Sequence, residues 1–131
     1  MSPGTFRSWP VVVLTTMACT SPASHQSRLF SEASAALATG DRARALEKLQ
    51  AAHDYDPRDV AATIRLAEFL AASVSPSAGL AVIEDLPADV PRDGRVLELQ
   101  ERLLLRRRLA SQHDAEARHS AGSALDVFRS P

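Results

Sequence analysis

Four side chains near the C-terminus, His113, Asp114, Glu116 and His119, form the only cluster of imidazoles and carboxylates in this 131-residue chain. Such groups bind transition metals or shuttle protons. Their spacing opposes both uses. On a helix His119 stands about 120° around the axis from His113, and neither an HExxH motif nor a paired-cysteine spacing accompanies them. A solvated helix face is the simpler reading. Asp54, Asp56 and Asp59 surround Pro57 beside Tyr55. Carboxylates there suggest calcium, but the glycine of the sharp turn and the distal glutamate are missing, so the segment reads as a turn. Arg106, Arg107 and Arg108 follow Arg102. They could meet a phosphate or a lipid headgroup, although on a helix they fan over about 200° and cations also suit a helix C-terminus. No G-x-S-x-G elbow and no glycine-rich phosphate loop occurs. The expectation is a protein without catalysis, cofactor or metal.

The single cysteine, Cys19, cannot form an internal disulfide. Its setting is more informative. Arg7 precedes an uncharged stretch from Ser8 to Gln26 that contains Val11-Val12-Val13-Leu14 and ends its apolar part at Ala18-Cys19. That run is too short to span a bilayer and has the size of a signal-peptide core. The segment resembles a bacterial lipoprotein signal peptide, with Thr16 where that family prefers leucine. The resemblance implies that residues 1–18 are removed, that the Cys19 thiol carries the lipid, and that residues 19–27 form a flexible tether. Two or more acyl chains would then anchor the chain. With no aspartate after the cysteine, it further implies the bacterial cell envelope, at the outer membrane facing the periplasm. A secretory signal cut after Ala18 or Ala23, or a start without export, are the alternatives, and they leave the protein in the periplasm or the cytoplasm.

The elements that must carry these residues are helical. Alanine (23 copies) outnumbers leucine (16), aromatics are 5% and glycines number 5, which favours closely packed helices over a sandwich or barrel. The net charge of −1 excludes the strongly basic footprint of a dedicated nucleic-acid binder. Apolar periodicity predicts a helix with Leu29, Ala33, Ala36 and Leu37 inward, stopped by Gly40. Asp41 caps a second, with Ala45, Leu46, Leu49 and Ala52 inward. A third runs from about Asp59 to Ser73 on Val60, Ile64, Ala67, Leu70 and Ala71. Ser75-Pro76 opens a fourth on Leu80, Ile83 and Leu86. A fifth covers roughly Gly94 to Ser111 on Val96, Leu97, Leu99, Leu103, Leu104 and Leu105. A final polar segment, 112–128, is expected to pack as a capping helix through Ala117, Ala121, Ala124, Leu125 and Phe128. No alternating strand pattern is found.

The pattern repeats with a period of 34 residues. Leu29, Ala33, Ala36, Ala45, Leu49, Ala52 and Pro57 become Thr63, Ala67, Leu70, Gly79, Ile83, Leu86 and Pro91, and then Leu97, Glu101 and Leu104. This series resembles the tetratricopeptide repeat, with Glu32 and Ala36 where a leucine and a tyrosine are usual. The resemblance implies an all-α, antiparallel helix-hairpin solenoid of about two and a half to three repeats over residues 28–128. It also implies a groove, lined by the first helices, that takes a protein or peptide partner. The matching positions are Ser27, Phe30, Ser34, Leu37, Ala61, Ile64, Glu68 and Ala71. Phe30 and Ile64 are the expected anchors, with Phe30 packing under the N-terminal linker as the rival reading. Glu68 would repel a carboxylate, so the groove is expected to be apolar.

Overall fold

The computed structural model describes residues 21–129, and across them the chain forms five helices: α1 (Pro22–Ala38), α2 (Arg42–Tyr55), α3 (Val60–Ser73), α4 (Pro76–Glu84) and α5 (Gly94–Arg129). No strand occurs among the described residues. Most of these helices begin where the sequence supplies an oxygen acceptor. Asp41 Oδ1 accepts from the Arg44 N–H at 3.0 Å, Asp59 from Ala61 at 2.8 Å and Ser75 Oγ from Ala78 at 3.1 Å. Asp93 does the same for α5, accepting from the N–H groups of Arg95 and Val96, each at 3.1 Å. Gly40 ends the first turn with φ at +79°, a conformation that glycine adopts without a Cβ clash. There the Asp41 N–H donates to the Ala36 carbonyl and the Gly40 N–H to that of Leu37, the Schellman pattern.

The short links make neighbours antiparallel. α1 packs on α2, α2 on α3, α3 on α4, and α5 on both α3 and α4. The interior is built largely from small residues. Ala45, Ala52, Ala62 and Ala67 are fully buried, and Leu80, Ile83, Val96 and Leu103 fill the space around them. Helices can approach closely only where side chains are small. At Gly79 the backbones of α4 and α3 come close: an added Cβ would lie 2.6 Å from the Ala67 carbonyl oxygen. Glu32, unusual for its repeat position, is not wasted: its carboxylate meets Lys48 of α2 at 3.1 Å and Arg28 at 3.6 Å. The Lys48 ammonium holds that carboxyl below its ordinary range.

Two features depart from the sequence expectations. α1 starts at Pro22, on an extended Ser21, so residues 22–27 are helical where a tether is expected. At the other end, no break separates the fifth helix from the capping segment. α5 is continuous over 36 residues, and residues 105–123 are exposed throughout, so 112–128 does not fold back as a cap. Leu97 and Leu105, expected inward, are 47% and 58% exposed. The cause is local: from Arg95 to Ala121 there is no glycine or proline to stop the helix. The result is an all-α helical repeat of two complete hairpins and the first helix of a third.

Candidate functional site

The first helices of the three units face a common groove. Phe30, Ser34 and Leu37 of α1 join Arg65, Glu68 and Phe69 of α3 around a cavity of about 460 Å³. It adjoins a second of about 390 Å³ between α3 and α5, lined by Ile64, Arg65, Glu68, Arg95, Glu98 and Arg102. A third, about 320 Å³, continues past Glu68 and Arg102 to Arg106. Four of the expected groove residues, Phe30, Ser34, Leu37 and Glu68, thus border one hollow. Ile64 borders the next.

Phe30 is half-buried beside the cluster of Ala33, Leu49 and Leu66. The Arg65 guanidinium lies 4.4 Å from its ring centroid, a cation–π contact. The Ser34 hydroxyl is turned back onto its own helix, donating to the Phe30 carbonyl at 2.9 Å. Leu37, which the apolar periodicity places inward, is instead 47% exposed on the rim. The α1 end of the groove is therefore apolar.

The α5 end is not. Arg65, Arg95, Arg102 and Arg106 line it against only Glu68 and Glu98. Arg102 donates to Glu68 at 3.0 Å, so the carboxylate expected to repel anions is already paired. Arg95 is held by Asp93 at 2.9 Å, and its guanidinium keeps the Asp93 carboxyl below the ordinary range. The expectation of an apolar groove is corrected on this point. Arg95, Glu98 and Arg102 occupy, one period on, the positions of Ala61, Ile64 and Glu68. Carrying the groove positions into the degraded third unit would have found them.

The other chemical candidates fall away from this groove. His113, Asp114, Glu116 and His119 are all exposed on the outer part of α5. Among the described residues, no group of three or more histidine, cysteine or acidic side chains is placed to hold a metal ion. Asp56 and Asp59 serve the turn, accepting backbone N–H groups of Arg58 and Ala61. Cys19 lies outside the described residues. No described helix is long and apolar enough to cross a membrane.

A tetratricopeptide repeat family model matches residues 36–103, just over half of the chain. Comparisons with curated proteins and with solved structures give no match.

Proposed function

The chain belongs to the tetratricopeptide repeat family, and from that premise we propose that it is a non-catalytic adaptor whose groove binds a segment of a partner protein. Repeats of this family generally mediate protein–protein interaction. The observation that carries the proposal is the polarity of the groove. An apolar hollow at Phe30, Leu37 and Phe69 runs into an end lined by four arginines, of which Arg95 is paired with Asp93 and Arg102 with Glu68. That arrangement suits a segment with an aromatic or aliphatic anchor followed by acidic side chains. Crosslinking and mass spectrometry in the native host would identify the partner. Recovery of that partner by pull-down should then fall at least tenfold for Phe30→Asp and Ile64→Asp. Unchanged recovery with both variants refutes the groove.

The same proposal includes anchoring at the cell envelope through a lipid on Cys19, at the outer membrane facing the periplasm. It rests on the uncharged run and the small residue before the cysteine. A soluble periplasmic or cytoplasmic adaptor is the alternative. Metabolic labelling with a clickable fatty acid decides between them: label in the wild type and none in Cys19→Ala is expected. Equal incorporation in both refutes the anchor.

A further inference from the structure

Glu68 stands at the meeting point of the groove. It borders all three hollows, and in the one it shares with Arg102 and Arg106 it is the sole acidic residue. Arg102 and Arg106 are one turn apart on α5 and so point to the same side. Between them they have one carboxylate. Glu68 accepts from Arg102 at 3.0 Å, while Arg106 forms no ion pair among the described residues. The Arg102–Glu68 pair is open to water, its side chains 52% and 51% exposed. A pair so exposed does little to hold α3 against α5. That contact rests on the buried cluster that includes Ala67, Ala71, Leu99 and Leu103. The pair is therefore free to open without disturbing the fold.

We propose that Glu68 is the groove's internal competitor for an acidic partner segment: it occupies Arg102 in the free protein and yields it to a glutamate or aspartate side chain of the bound segment. The inference rests on the reading above, that the groove takes a segment with acidic side chains behind its anchor. Charge complementarity selects that occupant. A ligand carboxylate on Arg102 replaces one exposed pair by another, and it gains Arg106 as a second, unpaired guanidinium. A neutral segment has no group to exchange for Glu68 and leaves the pair closed. Glu68 thus sets how tightly an acidic segment is held. Its carboxylate must be displaced before Arg102 can be used.

Fluorescence anisotropy of the full chain at low salt tests this. The probe is a labelled peptide of one phenylalanine followed by four glutamates, compared with the same peptide carrying glutamines. The glutamate peptide should bind the wild type more tightly than the glutamine peptide. Glu68→Gln should tighten the glutamate peptide about three- to fivefold, as expected for release of one exposed pair, and leave the glutamine peptide unchanged. Glu101→Gln is the control, since it removes the same charge beside Arg102 from a residue that borders none of the three hollows; it should change binding by less than about twofold. Arg102→Gln should weaken the glutamate peptide by at least about threefold. All three positions are exposed, so circular dichroism should show the variants folded. A glutamate peptide that binds the wild type but gains no more from Glu68→Gln than from Glu101→Gln overturns the role of Glu68 and leaves the groove reading standing. A glutamate peptide that binds neither the wild type nor Glu68→Gln overturns the acidic segment itself, and this inference with it.

Discussion

Gly79→Ala isolates the packing that makes a repeat out of two helices. Alanine is normally the better helix residue, and in an open helix the exchange stabilises by about 1 kcal/mol. At Gly79 the new methyl would stand 2.6 Å from the Ala67 carbonyl oxygen, 2.9 Å from Ala71 Cβ and 3.1 Å from Leu103 Cδ1. An ordinary carbon–oxygen contact is about 3.3 Å, so α4 must retreat from α3 by about 0.7 Å. The oxygen is main chain and cannot rotate away. Overpacking of this kind costs up to about 3 kcal/mol, and a main-chain clash this short belongs at the upper end of that range. A net loss of about 2 kcal/mol is expected, a fall in Tm of about 8–16 °C for a body of this size. Thermal unfolding followed by circular dichroism reads it. Gly122→Ala is the control, since nothing lies within 4 Å of the Cβ it would add; it should leave Tm unchanged and raise helical content slightly. A Gly79→Ala protein as stable as the wild type, or more so, would refute the reasoning.

Three further outcomes follow from the same contacts. Leu103→Ala empties the centre of the cluster joining α3, α4 and α5, where Leu103 is 1% exposed; a loss of about 2–5 kcal/mol by urea titration is expected. Asp93→Ala removes the acceptor for the Arg95 and Val96 N–H groups and should cost about 1 kcal/mol in the same assay. Side-chain hydrogen bonds from Lys48, Arg58 and Arg95 lower the carboxyl pKa values of Glu32, Asp89 and Asp93 respectively. Their folded values lie below their unfolded ones. Their contribution is thus complete above the unfolded values, 4.5 for Glu and 3.8 for Asp, and is lost as pH falls through the lowered ones. The urea midpoint should therefore hold from pH 7 to about 5 and fall below about 4, and Asp89→Asn/Asp93→Asn should flatten that fall.

The two complete repeats were legible because each depends on near neighbours in sequence. Capping needs an Asp or Ser placed two or three residues before an N–H, and Asp41, Asp59 and Ser75 stand there. Burial follows period: Leu29, Ala33, Ala36, Ala45, Leu49 and Ala52 are all inside. The apolar half of the groove was legible for the same reason. Its charged half was not, because the sign of a groove depends on which side chains cross between helices. Glu68 reads as a repulsive anion until Arg102, 34 residues on, is seen to hold it. Arg65, which the sequence pattern does not single out, lies over the Phe30 ring.

The third unit failed differently, through turn chemistry. The period that places Gly40 in the first hairpin places Val74, followed by Ser75 and Pro76, in the second, and Arg108, Leu109 and Ala110 in the third. The first two provide a left-handed glycine, or an N-cap with proline behind it. The third provides three good helix formers. Folding back would also have to repay breaking a helix mid-course, and a stripe made mostly of alanine methyls offers little apolar area with which to do so. Continuing the helix is therefore the lower state for a single chain. It leaves Leu97 half-exposed at the end of the stack and carries Leu105 and Leu109 out into solvent. One missing turn signal thus produces both the open end of the solenoid and the bare helix beyond it.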